Sequence, residues 1–268
     1  MLAEHAFNQR NKMKHSNLLI KAIICFLFLG CQFQNGIGQL RKDSVRARGL
    51  VMSGNISITN NGFSLIPAFT LGSSATQAII KVAGKRFSFE PEFRYGLNGK
   101  PWSFVFIWRY KLIQHEKFTL NLGTHLPAIN FVTAPLLING EMQDVTRARQ
   151  FFPVFEFNPQ WVLHPRVSVG VMYQYAIAQA KELARETHFL SFRGSISRVP
   201  LGGNLLLNAN AQLFYLKMDA NDGVYIASGL SVGKKAFPLS LAANWYQAFQ
   251  TNIPGKKEDW NVSLVYSF

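Results

Sequence analysis

The last nine residues constrain the fold of this chain more than any other stretch. Large apolar side chains alternate there with smaller, mostly polar ones: Trp260, Val262, Leu264, Tyr266 and Phe268 with Asn261, Ser263, Val265 and Ser267. Because successive side chains of a strand point to opposite faces, this period of two predicts a strand with one apolar face. A soluble antiparallel sheet would show the same pattern, so the interpretation depends on how often the chain repeats it.

The composition narrows the class of protein. Charged residues make up 16% of the 268 residues, and phenylalanine occurs 23 times. Soluble domains typically contain about 25% charged residues. The sequence has no run of about 18 apolar residues, which argues against membrane-spanning helices. A transmembrane β-barrel is expected to show this combination, because only every second residue of its strands faces lipid.

The formal net charge of +14 at pH 7 raises nucleic acid as a partner. However, the sequence contains neither a long run of Lys and Arg nor a basic helix, and its positive residues are scattered among turns and alternate strand positions. We therefore expect no nucleic-acid partner. The phosphates of lipopolysaccharide and other outer-membrane lipids, or anions inside a pore, suit this distribution better.

Residues 1–38 have the parts of a secretory signal peptide. Three lysines precede an apolar run at residues 22–30, and Gly36-Ile37-Gly38 provides a cleavage site with small residues. Cleavage after Gly38 would remove Cys25 and Cys31, so the mature chain would have no disulfide framework. The alternative is a lipoprotein signal in which Cys31 is acylated.

The most informative predicted hairpin covers residues 87–112 and turns at residues 98–101, where Asn-Gly-Lys-Pro supplies turn chemistry. Aromatic side chains, including Trp102, occupy one face of both predicted strands, and charged side chains occupy the other. A register that places Glu90 beside Arg109 matches both faces at once. In a barrel the rings would meet lipid and the charges would meet the lumen.

Repetition of this pattern predicts about twelve strands, starting with residues 63–71. An even number leaves both termini on the periplasmic side. The longest connection is expected at residues 127–150, where it would either narrow the mouth or cap the outer rim. The predicted organisation is a signal peptide at residues 1–38, a periplasmic lead-in at 39–62 and an all-β, transmembrane, antiparallel up-and-down β-barrel at 63–268.

Three strips of sequence resemble the small bacterial outer-membrane β-barrels, a porin-like class. They are the hairpin at residues 87–112, the strip at residues 215–223 and the closing strand at residues 260–268. The resemblance implies location in the cell outer membrane. It also implies that Tyr266 and Phe268 form the signal recognised by the barrel-assembly machinery. It carries over no other functional residue, no cofactor and no activity.

An inward charge cluster is predicted on the hairpin, formed by Glu90, Glu92, Arg94, Arg109 and Lys111. Such charges would bias which ions pass a pore. Alternatively, they would pair with each other and fill a narrow barrel. Other predicted lumen positions are Glu156, Arg193 and Gln212, together with Gln160, Gln174, Asn208, Asn210, Asn244 and Asn261.

No metal site, cofactor or catalytic residue is predicted. Residues 219–223 resemble the start of a calcium loop but lack the distal Glu that such a loop needs. His188 and Ser191 are three residues apart and fall on opposite faces of a strand. A lipid hydrolase remains an alternative, because the partners of a catalytic histidine can come from elsewhere in the fold.

The favoured function is a porin-like channel for small polar or anionic solutes. The first alternative is a non-conducting structural or interaction barrel whose lumen is filled by its own side chains. The second is an outer-membrane lipid hydrolase. The sequence identifies neither the solute nor the width of the lumen.

Overall fold

The structure, a computed structural model, describes residues 49–268. The predicted signal peptide, both cysteines and the first part of the predicted lead-in lie outside the described residues. Twelve antiparallel strands form a closed barrel in which each strand pairs with its neighbours in sequence and β1 pairs with β12. The strands are β1 (Val51–Thr59), β2 (Ala75–Ala83), β3 (Phe87–Gly96), β4 (Pro101–His115), β5 (Phe118–Ile138), β6 (Glu141–His164), β7 (Val167–Ala178), β8 (Glu186–Gly202), β9 (Leu205–Met218), β10 (Asn221–Lys234), β11 (Leu239–Thr251) and β12 (Glu258–Ser267). The predicted fold class is confirmed.

The outer surface of the barrel is apolar, as β12 illustrates. Trp260, Leu264 and Tyr266 are exposed on its outer face, while Asn261 and Ser263 are buried on its inner face. Exposed apolar side chains of this kind recur on every strand except β2, whose side chains are half-buried or buried. A continuous apolar belt around a closed barrel suits hydrocarbon, where every backbone polar group has to be paired within the protein. This is the fold of an outer-membrane β-barrel.

Among residues 49–268, no helix combines the length and apolar character that a bilayer crossing requires. The only helical element described there is one 3-10 turn, Pro67–Phe69.

A glycine allows the barrel to close. The backbone of Phe268 exchanges two hydrogen bonds of 3.0 Å with Gly54 on β1. A Cβ atom on Gly54 would lie 2.8 Å from the ring of Phe268 and 2.5 Å from the carbonyl oxygen of Ile79. The terminal ring therefore packs directly over the glycine backbone.

The predicted start of the barrel is wrong. The first wall strand is β1, inside the predicted lead-in at residues 39–62, and residues 63–71 form no wall strand. The chain turns inward after β1, where Gly62 donates to the carbonyl oxygen of Ser73 (2.7 Å) and Leu71 donates to that of Gly62 (2.8 Å). One wall strand was assigned to the lead-in, where only residues 56–59 were interpreted as strand-like, and another was overpredicted, so the expected total of twelve is still correct.

The predicted long loop at residues 127–150 is also wrong, because β5 and β6 continue through it as one tall hairpin. They pair as far as Ile138 and Glu141. Asn139 and Gly140 form the turn with positive φ values of 53° and 86°. The hairpin neither enters the mouth nor caps the rim. It extends the wall past the strands on either side.

The predicted pairing of the β3–β4 hairpin is displaced by two residues. Arg109 lies opposite Ser88 rather than Glu90, and a β-bulge separates Arg94 from Tyr95. An even displacement keeps every side chain on its face. The predicted separation of charged and aromatic faces therefore survives the change of register, and Arg109 still reaches Glu90 diagonally.

Candidate functional site

The lumen contains one central network of charged side chains, and Glu156 on β6 is its centre. The Glu156 side chain is fully buried. Arg109 on β4 donates from Nε to Glu156 Oε1 (2.7 Å) and from Nη2 to Glu156 Oε2 (3.0 Å). Its Nη1 bonds Glu90 on β3. This two-pronged geometry is among the stronger polar contacts in proteins and holds Arg109 between two carboxylates.

The ionic network continues around the wall on both sides of this pair. On one side, Lys81 on β2 bonds Glu90. On the other, the carboxylate of Glu156 lies 3.3 Å from Nε2 of His125 and accepts from Gln174 Nε2 (3.2 Å). The network spans strands β2 to β7 at one depth in the barrel.

Asn158 extends the ionic network to β8. Its Nδ2 donates to Glu156 Oε1 (3.3 Å), and its Oδ1 accepts a hydrogen bond from Arg193. Arg193 thus joins the network through the amide of Asn158.

The structure brings together four of the predicted lumen charges: Glu90, Arg109, Glu156 and Arg193. Glu92 and Arg94 form a separate ion pair of 2.5 Å on β3, and Lys111 forms no ion pair within residues 49–268. Lys81, His125 and Asn158 were missed. Their inward positions follow from strand alternation, but their convergence on Glu156 depends on how seven strands line up.

The outer half of the lumen contains a buried, mainly apolar group of side chains. We call this group the aromatic cluster; it comprises Met172, Phe189, Phe214, Leu216, Met218, Tyr225, Ala227, Tyr246 and Ile253, all buried. The rings of Phe214 and Tyr225 stack at 4.9 Å, and those of Phe189 and Phe214 at 5.0 Å. Gln212, a predicted lumen residue, is buried directly below Phe214 on β9.

Residues 60–74, between β1 and β2, fold into the outer mouth and cover the aromatic cluster. We call them the inward segment. Phe63 packs on Tyr246 with ring centroids 5.6 Å apart, and Phe69 meets Phe151 edge-on at 5.1 Å. Pro67 packs against the backbone of Gly255: a Cβ atom on Gly255 would lie 2.8 Å from the Cβ atom of Pro67. The apolar alternation that predicted a wall strand at 63–71 instead packs inside the barrel.

Trp102 anchors the inward segment, which corrects its predicted place on the lipid face. Its side chain is buried, and Nε1 donates to the carbonyl oxygen of Phe69 (2.8 Å). The ring also lies under Arg94, whose guanidinium carbon is 5.5 Å from the ring centroid. Trp102 is the extra residue of the β-bulge, because Tyr95 pairs with Pro101 and Arg94 pairs with Ser103. The bulge therefore interrupts the alternation of β4 at Trp102.

The inner half of the lumen has small, polar side chains instead. Ser168 and Ser195 are 2.7 Å apart, and Gln160 donates to Ser168 (3.0 Å). Asn208 donates to Ser231 (3.2 Å). Most of these side chains are half-buried rather than buried. Side chains of this size and polarity leave this half available to water.

The residues considered for metal binding or catalysis do not form such a site. No cluster of three or more potential metal ligands occurs in the described part of the chain. The carboxylate of Asp219 accepts from the backbone N–H groups of Arg185 and Glu186, both at 2.8 Å. His188 contacts Tyr173 at 2.8 Å on the lipid face, whereas Ser191 is buried inside.

No protein-family model and no curated protein sequence matches the chain. Solved structures do match its fold. The KdgM porin in complex with disordered oligogalacturonate aligns over 81% of this chain and 99% of its own, with a TM-score of 0.51 and 10% identity. The KdgM porin alone gives a TM-score of 0.50 at the same identity and the same coverage. An outer membrane channel from Pseudomonas putida F1 covers 88% of this chain with a TM-score of 0.48 and 10% identity. At such identity, the likeness is one of fold.

Proposed function

We propose that this protein is an outer-membrane channel for small polar or anionic solutes, with an outer mouth narrowed by the inward segment. The observation that carries the proposal is the polar inner half of the lumen, bounded by the ionic network. A barrel with no route for solute has no need of polar side chains that stay half-buried along its inner half, because a closed interior favours apolar packing.

The sign of the lumen charge supports anionic solutes. Five basic and three acidic side chains lie on the strands between the two rims: Lys81, Arg94, Arg109, Lys111 and Arg193 against Glu90, Glu92 and Glu156. An excess of fixed positive charge favours anions in a narrow pore. The KdgM porin, which has a similar barrel, has been solved with oligogalacturonate, a polyanion.

Conductance across a planar bilayer tests the proposal, with a variant that removes the obstruction. Thr59 and Ala75 are paired at the ends of β1 and β2, so an Asn-Gly turn can replace residues 60–74. We expect a small anion-selective conductance for the natural chain and one several-fold larger for this variant. Flat traces from both folded proteins would overturn the channel proposal.

A matched control shortens a different outer connection. Replacing residues 136–143 at the tip of the β5–β6 hairpin by Asn-Gly removes exposed residues outside the lumen. This variant should conduct like the natural chain. If the first replacement prevents folding, the double variant Phe63→Ser and Phe69→Ser loosens the same apolar contacts without shortening the chain.

A second candidate function is a non-conducting barrel with its outer loops as the working surface. The observation that favours it is the filled outer half, where the aromatic cluster and the inward segment leave Tyr225 and Tyr246 fully buried. This candidate predicts no current from either the natural chain or the variant without residues 60–74. The same bilayer experiment therefore separates it from the channel.

The hydrolase alternative has less support. Within residues 49–268, no serine hydroxyl lies within hydrogen-bond distance of a histidine, and the network at His125 involves Glu156 and Gln174. It predicts turnover of phospholipid or lipopolysaccharide by the purified protein, lost on replacing one Ser or His.

The remaining partners follow from the proposed location. We propose that Tyr266 and Phe268 serve as the signal for the barrel-assembly machinery, and that lipopolysaccharide and other outer-membrane lipids surround the apolar belt. Both rings are exposed on the outer face beside the closing seam. Deleting Phe268 should lower the amount of folded barrel recovered from cells, while a purified chain refolded in detergent should be less affected.

A further inference from the structure

A groove opens at the end of the barrel where β1 begins and β12 ends. It has a volume of about 340 Å³ and is lined by Pro165, Arg166, Arg198, Pro200, Leu206 and Lys235. These residues come from the β6–β7 and β10–β11 connections and from the adjoining ends of β8 and β9. Two prolines and a leucine form an apolar floor, and three cationic side chains surround it.

The groove faces the lumen rather than the lipid. Leu206 is two residues from Asn208 on β9 and shares its face. Asn208 points inward, because its Nδ2 donates to Ser231 on β10 (3.2 Å). The groove therefore lies at the inner mouth of the barrel, where the polar half of the lumen ends.

The backbone is shaped to present Arg198. This residue has a φ of 58°, in the left-handed region of backbone conformation that residues other than glycine seldom adopt. It lies in a β-bulge between Ile196 and Val199, and its N–H donates to Asn208 Oδ1 (2.9 Å). Strain of this kind persists only where the surroundings enforce it, and bulges commonly re-aim a side chain.

The three cations of the groove have no acidic partner. None of Arg166, Arg198 and Lys235 forms an ion pair with a carboxylate among the described residues. Among residues 49–268, the inner rim has seven basic side chains and one acidic side chain, Glu116; the basic residues are Lys85, Arg86, Lys117, Arg166, Arg198, Lys234 and Lys235.

The outer rim has balanced charge. Eight basic residues face eight acidic ones there: Lys100, Arg147, Arg149, Lys181, Arg185, Lys217, Lys256 and Lys257 against Glu141, Asp144, Glu182, Glu186, Asp219, Asp222, Glu258 and Asp259. The unbalanced positive charge is therefore concentrated at one mouth, where it attracts and retains anions.

We propose that this groove is a binding site for a soluble anion that carries a phosphate or carboxylate group. The three cations pair with the anionic group, and the apolar floor contacts the carbon-bearing part of the same molecule. Placing the site on the periplasmic side rests on the proposed outer-membrane function. The site itself depends only on the groove.

The test is a titration of inorganic phosphate, followed by phosphorus NMR, into the purified full chain in a phosphate-free detergent. The groove variant combines Arg166→Gln, Arg198→Gln and Lys235→Gln. The control variant combines Lys85→Gln, Arg86→Gln and Lys117→Gln, which removes the same charge from the same rim on other turns. Charge-assisted bonds of this kind make a weakening of about tenfold or more the expected result for the groove variant. The control should stay close to the natural chain.

The proposal is overturned if the natural chain binds no phosphate. It is also overturned if both variants weaken binding equally, because phosphate would then be attracted by the positive charge of the whole rim rather than by the groove. Native mass spectra would show whether phosphatidylglycerol binds to the groove instead. If this lipid is bound and is lost in the groove variant alone, the ligand is a lipid headgroup, and the proposal of a soluble anion is overturned. Phosphate binding by a protein that does not conduct would leave the groove intact and remove the channel, so the two failures are distinguishable.

Discussion

The two halves of the lumen are built on the same strands and have opposite chemistry. On β9, the inward side chains Leu216 and Phe214 belong to the aromatic cluster, while Asn210 and Asn208 line the inner half. Gln212 lies between them. The outward side chains of the same strand stay apolar from Leu205 to Tyr215, because lipid surrounds the belt, and only Lys217 at the outer rim is charged.

This difference shows that membrane insertion fixes only one face of each strand. The lipid face has to be apolar, and the lumen face is free to follow function. In the outer half, the lumen face packs against the inward segment, and Phe63 and Phe69 of that segment occupy space that water would otherwise fill. In the inner half no segment of residues 49–268 enters, and the inward side chains are mostly polar; some are half-buried, such as Asn208 and Asn210, and others buried, such as Asn244.

The largest effect should come from breaking the ionic network that separates the two halves. Arg109→Met leaves Glu90 and Glu156 facing each other without their shared cation. Removing one partner of a buried pair costs about 3–5 kcal/mol. We expect a loss of that size in the free energy of unfolding, measured by urea titration of the folded barrel in detergent.

Lys111→Met is the matched control for that change. Lys111 is the next inward residue on β4 and forms no ion pair with the described carboxylates. Its replacement should change the unfolding free energy by less than about 0.5 kcal/mol. A similar loss from both variants would show that net charge, rather than the network, stabilises the barrel.

Phe214→Leu tests the outer half at smaller cost. It removes part of a ring that stacks on both Phe189 and Tyr225. Deleted buried carbons cost about 0.8 kcal/mol per methylene, so we expect a loss of about 2 kcal/mol by the same titration.

Asn210→Ala on the same inward face of β9 is its counterpart in the inner half. Asn210 is half-buried, and its replacement should change the unfolding free energy by less than about 0.5 kcal/mol. Equal losses at the two positions would mean that both halves are packed cores, which would count against a solvated inner lumen.

The wall of the barrel was largely predictable, because lipid imposes a period of two that is visible locally. The closing strand and the aromatic hairpin were recognised for this reason. The displaced pairing of β3 and β4 was not predictable, since it depends on a bulge beside Arg94. No local signal in the sequence specifies such a bulge.

The first strand was missed because its outward face is interrupted by Gly54. The need for a glycine at this position is visible only in the fold, because its backbone accommodates the ring of Phe268, more than two hundred residues away in the sequence. Residues 63–71 were taken for wall because an apolar alternation does not distinguish lipid from a packed lumen. For the same reason, the ionic network was only partly foreseen: Asn158 and His125 reach Glu156 through strand alignment alone.

The smallest expected effect concerns the contact between the inward segment and the wall of the outer half. Trp102→Phe removes the Nε1 donor to the carbonyl oxygen of Phe69 and keeps an aromatic ring in place. A lost hydrogen bond of this kind costs about 1 kcal/mol, so amide hydrogen exchange in residues 60–74 should accelerate by about fivefold.

Trp108→Phe is the control, because Trp108 lies on the same strand and donates to the carbonyl oxygen of Leu126 (3.1 Å) on the lipid face. It should leave exchange in the inward segment unchanged. Equal acceleration in both variants would mean that the segment is held by the stability of the whole barrel rather than by its own anchor, and the outer half would then be a fixed core instead of a filled passage.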